Sequence, residues 1–489
     1  MIPRLLVAGT GSGVGKTLMT AGLIGALRRR GMVVQPFKCG PDYIDPGWHG
    51  RAAGRPCRNL DTWMLGEDAV RASFQRGCAG ADIAVIEGVM GLFDGARFDS
   101  SAGSAAEIAA LLGAPVLLVL DISGSARSAA AVALGFARFD PARPVAGVAL
   151  NFAGSERHAL GCGAAITEMT GLKMFGWLPR AAGMAVPERH LGLKLAEESG
   201  DADAVLAAAA DAVAARFDLD GLLELAAGAP AMPGVAPVLP VLAGDGPVLA
   251  VAQDAAFSFY YQDDFDLLAA AGVRLVRFSP VAGERLPEGV AGVYLGGGYP
   301  ELHAAALAAN AGLWQDLRAL HAQGGLILAE CGGFMVLTEA LIDTDGVRHG
   351  MAGLIPGVTR MTTRLAALGY REATALCDTP LAACGEVLRG HEFHYSVWDR
   401  AEAPPAPAWR AVGTRAGMVP AMVGHADRGL VASYLHIPLA QRPDLAGRLV
   451  RFLSGIQGPP ALGGGPGGEA SWRDRAAKRT DGSAPRWRR

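Results

Sequence analysis

Short apolar runs, each closed by glycine, proline or a polar residue, alternate with longer amphipathic or alanine-rich stretches from residue 4 to about residue 225. The alternation predicts strands and helices in turn, and strands this uniformly apolar imply a parallel sheet covered on both faces. The strand candidates are "RLLVAG", "VVQPFK", "DIAVIEG", "PVLLVLD", "VAGVALN" and "KMFGWLP". A stretch rich in proline, glycine and alanine, "AAGAPAMPGVAPVLPVLAGDGP", then breaks the pattern, since it can continue neither a helix nor a central strand. Beyond it the alternation restarts with "VLAVAQ", "VRLVRFS", "GVYLGGG" and "GLILAEC", with helices expected over "YQDDFDLLAAAG" and around 304–322. The expected organisation is an α/β domain over 1–227, a linker over 228–246, a second α/β domain over 247–455 and a tail over 456–489.

Composition narrows the class. Hydrophobic residues reach 51%, but the excess is largely alanine, and no run is long enough to span a bilayer. The opening "MIPRLLVAGT" runs straight into glycines and reads as a first strand rather than a signal peptide, so a cytoplasmic location is expected. A net charge of −3 gives no reason to expect nucleic acid. Seven cysteines without a C-x-x-C pair argue against a disulfide framework and a zinc ribbon. The basic, glycine-rich tail cannot bury a core and is expected to be disordered.

The first candidate chemistry is "GTGSGVGKT", which follows a strand and opens a helix. In such a phosphate loop, backbone N–H groups around Thr10, Gly11, Gly13, Val14 and Gly15 wrap the phosphates. Lys16 reaches the terminal phosphates and the Thr17 hydroxyl binds Mg²⁺. Thr10 stands where the usual first glycine would be. Carboxylates are expected nearby, at the C-terminal ends of parallel strands. After the second strand, "PFKCGPDYIDPGWH" supplies Lys38, Asp42 and Asp45; after the third, "IEGVMGLFDG" supplies Glu87 and Asp94. Glu87 ends an apolar run, where its charge would be costly without a cation, so it joins Thr17 as a metal candidate. Taken singly, Asp45 and Asp94 also read as turn residues.

The second is "LILAECGGF", a strand, a sharp turn at Cys331 and a helix beginning with two glycines. This is a nucleophile elbow, expected to present the thiol and to lower its pKa at the helix N-terminus. His436, ending the strand-like "VASYLHIPL", is the candidate base, with His391 and His394 of "GHEFHYS" as competitors.

These blocks together resemble the amidotransferase family that converts cobyrinic or hydrogenobyrinic acid to its a,c-diamide, over about 2–454. The resemblance implies an ATP domain similar to dethiobiotin synthetase and a class I glutaminase domain working through a cysteinyl thioester. It implies ATP and Mg²⁺, with L-glutamine and a corrinoid polycarboxylate as substrates, and it admits a homodimer. Asp42, Tyr43 and Ile44, with Asp45, fall where the family meets the corrinoid. Glu87 and Asp94 fall where it performs catalysis and handles Mg²⁺, and Asn151 where the fold group reads the nucleotide base. "YLGGGYPEL" is similar to the oxyanion loop, which points to Gly296, Gly297 and Gly298. Class I members usually carry a glutamate two residues after the histidine; here that position is Pro438. Cobyric acid synthase and the amidase acting on nickel sirohydrochlorin resemble the chain on the same grounds, separated by the residues around Asp42 to Asp45. A partitioning-type ATPase switch would have a lysine where Gly11 or Ser12 stands.

Overall fold

The computed structural model describes residues 2–140, 145–180, 188–189, 192–193, 195–196, 198–232, 246–400, 406–414, 418–442 and 444–455. Most of the expected linker and the whole expected tail lie outside these residues. The first domain is built on β1 (Arg4–Gly9), β2 (Val34–Cys39), β3 (Arg58–Leu60), β4 (Ile83–Glu87), β5 (Val116–Asp121), β6 (Val145–Ala153) and β7 (Met174–Pro179). They form one parallel sheet in the order β3-β2-β4-β1-β5-β6-β7.

Successive side chains of β1 enter opposite cores: Leu5 and Val7 join one cluster, Leu6 and Ala8 the other. That is why the run reads as continuously apolar. Helix α1 (Lys16–Arg29) covers the first face with Ala202–Arg216 packed along it. Helix α2 (Ile44–Ala53) follows β2, and Asp42 Oδ1 accepts the N–H groups of Ile44 and Asp45 at 2.8 and 3.0 Å. The order reverses beside β1, so the loops after β1, β2 and β4 share one crevice.

A two-residue ribbon, β8 (Glu188–Arg189) with β9 (Gly192–Leu193), precedes the second domain. There β10 (Val248–Ala252), β11 (Arg274–Phe278), β12 (Gly292–Leu295) and β13 (Leu326–Glu330) are the strands expected from the sequence. The pattern did not foretell β14 (Thr338–Ile342), β15 (Arg348–Gly350), β16 (Ile355–Met361), β17 (Ala367–Ala375), β18 (Val387–His394), β19 (Ser396–Asp399), β20 (Trp409–Gly413) and β21 (Ala421–Val423). These make two four-stranded sheets, β15-β14-β16-β19 and β18-β17-β20-β21, whose strands mix buried, half-buried and exposed positions without strict alternation and so carry little periodic signal. β22 (His425–Asp427) and β23 (Leu430–Ser433) complete the main sheet in the order β11-β10-β12-β13-β23-β22.

The helix expected around 304–322 is divided into Ala304–Ala309 and Ala311–Ala322. Asn310 breaks it, accepting the N–H of Leu313 and donating to Glu284 O at 2.8 Å.

The two domains are tied by charge. Asp263, 4% exposed, accepts from Arg58 and Arg76 at 2.7 Å each and from the Ser73 hydroxyl, and Arg58 also reaches Asp266 at 2.5 Å. Tyr370 donates to Asp61 at 2.7 Å, and its ring stacks on Trp63 at 4.5 Å. Among the described residues no helix is long and apolar enough to cross a membrane.

Candidate active site

The phosphate loop leaves β1 and enters α1 through Gly15, whose φ of 84° favours glycine. A Cβ there would lie 2.0 Å from the Asn151 amide nitrogen, so the loop and Asn151 are packed without room for a side chain. That amide donates to Val14 O at 2.9 Å, while its oxygen accepts the N–H of Phe152. Asn151, expected at the nucleotide base, stands against the phosphate loop through its bond to Val14. Lys16 is folded back, its Nζ donating to Gly11 O at 2.7 Å. Thr17 donates to Glu87 Oε1 at 3.0 Å, which brings the two metal candidates together.

Around Glu87 the charges are dense. Lys38 Nζ lies 3.1 Å from Glu87 Oε1, 2.6 Å from Asp45 Oδ2 and 3.9 Å from Asp42 Oδ2. His49, from α2, bonds to Glu87 Oε2. Burial acts to raise the Glu87 carboxyl, but Lys38 and then His49 outweigh it and hold the group at about 2. Burial first, and then Asp42, pushes Asp45 up to about 7 against the pull of Lys38. Asp94 accepts the N–H of Gly91 at 2.8 Å and contributes to the field at Lys16. Hard oxygens of Thr17 and Glu87 side by side at a phosphate loop fit Mg²⁺, which takes few protein ligands and completes its shell with phosphate and water. No cluster of three or more His, Cys, Asp or Glu side chains placed to hold a metal stands among the described residues.

The second constellation sits at the C-terminal ends of three neighbouring strands. Gly296 to Gly298 follow β12, Cys331 follows β13, and His436 lies three residues beyond β23, whose Ser433 pairs with Glu330. Cys331 has φ 48°, the strained backbone of an elbow, and its N–H donates to Ser433 O at 2.8 Å. A Cβ on Gly333 would meet Leu295 O at 2.0 Å, so the glycine lets the helix Gly332–Leu337 close onto β12.

Two expectations need correction. Cys331 is 6% exposed rather than presented, and burial, followed by the Glu301 charge, pushes its thiol up to about 12. A six-residue helix supplies too weak a dipole to reverse this. In addition, the Gly296 N–H already donates to the Tyr260 hydroxyl at 2.8 Å, which removes it from the expected oxyanion donors. Gly298 N lies close to Gly332, where an added Cβ would come within 3.1 Å of it.

His436 Cε1 lies against Gly297, 2.6 Å from where a Cβ would be. No hydrogen bond joins the Cys331 thiol to this ring among the described residues. His391 pairs with His436 through both backbone bonds, and their rings stack at 4.9 Å. Burial first, then His436 and Arg371, hold His391 well below the ordinary histidine range. His394 stacks on Tyr434 and bonds to Ser396 O at 2.8 Å.

The two constellations adjoin. Tyr43 enters α2 from the first domain with its ring 5.1 Å from Phe259, 4.8 Å from Tyr261 and 5.0 Å from His436. Ile44 packs with Leu195, Phe259 and Tyr299. Sequence reasoning missed His49, Phe259, Tyr261 and Glu330. Of these, Glu330 was signalled as Glu87 was, by a charge at the end of an apolar strand.

The raised thiol carries a measurable consequence. In the unliganded protein, alkylation of Cys331 by iodoacetamide should rise about tenfold per pH unit from pH 7 to 9, following the thiolate fraction below a high pKa. Peptide mapping reads this directly, and a rate already level at neutral pH would contradict the burial effect.

The glutamine amidotransferase domain described as CobB/CobQ-like matches residues 248–444, and the CobQ/CobB/MinD/ParA nucleotide binding domain matches residues 5–193. Fold and matches together define a two-domain, nucleotide-dependent glutamine amidotransferase, an amide-forming ligase. The cobyrinate a,c-diamide synthase of Salmonella typhimurium is 45% identical, covering 90% of this chain and 96% of its own. That of Dehalococcoides mccartyi strain CBDB1 is 43% identical over 92% and 98%. The hydrogenobyrinate a,c-diamide synthase of Rhodobacter capsulatus is 44% identical over 88% and 98%. The chain belongs to the cobyrinate and hydrogenobyrinate a,c-diamide synthase family.

Proposed function

We propose that the protein amidates the a and c carboxylates of cobyrinic or hydrogenobyrinic acid, using ATP to activate each acid and glutamine as the nitrogen source. The observation that carries this reading is Tyr43, a residue of the nucleotide domain packed against the imidazole of the glutaminase domain. The places where acid is activated and nitrogen released thus share one wall.

A carboxylate oxygen is a poor leaving group. Transfer of the γ-phosphoryl group converts it to an acyl phosphate, and the work of the site is positioning and charge neutralisation. The loop N–H groups and Lys16 hold the phosphates, Lys16 leaving Gly11 O to do so. Thr17 and Glu87 would hold Mg²⁺, which neutralises phosphate charge when bound. Lys38, balanced by Asp42 and Asp45, faces the acceptor. In the other half, Cys331 attacks the glutamine side-chain amide and His436 accepts the thiol proton and returns it to the departing nitrogen. The N–H groups of Gly298 and Gly332 serve the developing oxyanion. Ammonia then crosses the Tyr43 wall to the acyl phosphate, and water releases glutamate.

Purified protein supplied with ATP, glutamine and either the metal-free or the cobalt macrocycle should form two amides in succession. Glutamate release without any amide would overturn the reading. Ile44→Ala should shift the ratio of mono- to diamide by roughly fivefold to thirtyfold, the scale of one lost contact of 1–2 kcal/mol, with the KM for ATP unchanged. Tyr43→Ala should in addition slow glutamine hydrolysis, because its ring lies on His436. An unaltered product profile in both variants would exclude this segment from substrate binding.

A further inference from the structure

The class I position for orienting the histidine is Pro438, which has no carboxylate. His436 is 2% exposed and its Nδ1 has no properly directed hydrogen-bond partner, an arrangement costly in a packed interior. The nearest acid is Glu330, the residue just before the nucleophile, whose Oε2 lies 3.4 Å from that nitrogen. Glu330 is itself fixed from two sides: Tyr294 donates to Oε2 at 2.9 Å, and the Ile437 N–H donates to Oε1 at 3.0 Å. These bonds hold the carboxylate beside the imidazole, one from β12, which leads into the glycine loop, and the other from the residue directly after His436. The other groups facing the ring do not compete. Glu392 is engaged by Arg371 at 3.0 Å, and His391 and Tyr43 offer ring faces.

We propose that Glu330 is the positioning residue of the glutaminase histidine. Its carboxylate accepts from Nδ1–H of His436, which fixes the tautomer with a free Nε2 lone pair on the Gly297 side of the ring. The thiol proton passes to Nε2 as the S–C bond forms, and the imidazolium so made faces a carboxylate. The same proton then goes to the leaving nitrogen as the C–N bond breaks, giving thioester and ammonia. One strand end therefore supplies both the nucleophile and the group that orients its base.

The inference rests on Cys331 and His436 acting as nucleophile and base. Glu330→Gln in the full chain should lower kcat for glutamine hydrolysis by about 10²- to 10⁴-fold, with the KM for glutamine within about threefold and ammonia-dependent amidation retained. A kcat near that of the parent would overturn it. So would a change confined to KM, which marks a substrate contact, or loss of ammonia-dependent amidation, which marks a structural prop. Cys331→Ala separates the two levels: if it still hydrolyses glutamine the nucleophile is misassigned, whereas if it is dead and Glu330→Gln is active only the orienting role fails. Independently of any Glu330 variant, ¹⁵N-histidine NMR of the parent, with His436→Asn for assignment, should show the proton on Nδ1; a proton on Nε2 would overturn the proposal.

Discussion

Cys331→Ala is expected to lower glutamine-dependent amidation by at least about 10⁴-fold while leaving amidation with added ammonia close to the parent level. The effect is large because no other side chain at the elbow is a nucleophile: the strained φ of 48° belongs to Cys331 alone in that turn. It is selective because the phosphate loop, Lys38 and Glu87 stand on a different sheet. Parallel assays with glutamine and with ammonium salt at raised pH provide the check. Loss of both activities would mean that the thiol supports the acid-activating site as well, contrary to a division between domains.

Lys16→Ala should have the complementary result, a loss of about 10³-fold or more with either nitrogen source, since cationic stabilisation of a transferring phosphoryl group is worth that much. Lys16 is partly prepared for this task. Burial lowers its pKa, and the Glu87 charge opposes that effect. Its bond to Gly11 O closes the loop without nucleotide, and removal of the side chain should not unfold α1. Glutamine hydrolysis measured without the macrocycle should persist in this variant. Ammonia-dependent turnover at the parent rate would dismiss Lys16 from phosphate binding.

Much of both sites was legible because each depends on local pattern. A strand, a glycine turn and a helix occur in unbroken sequence at Gly9 to Thr17 and again at Leu328 to Gly333, so motif and geometry coincide. What escaped was set by tertiary contacts. His49 reaches Glu87 across the crevice from α2, and Phe259 meets Tyr43 from another domain; neither pairing has a spacing to read. The Cys331 thiol was misjudged for a related reason: the helix after it was visible, but the packing that buries it, and after that the charge of Glu301, was not. Asn151 lies near the end of β6 beside the phosphate loop, and its bond to Val14, 137 residues away, likewise has no spacing to read.

The Asp263 knot bears on how such a protein is assembled. A carboxylate gripped by Arg58, Arg76 and Ser73 lies where the two halves meet, and removing those partners while the halves stay docked would leave a buried charge unpaired, which typically costs about 3–5 kcal/mol. Grafting a glutaminase module from a distant homologue onto this front half would strand two guanidinium groups instead. Successful chimeras must therefore transplant the ion-pair set as a unit, and inheritance of the two modules is coupled by electrostatics as firmly as by the reaction they share.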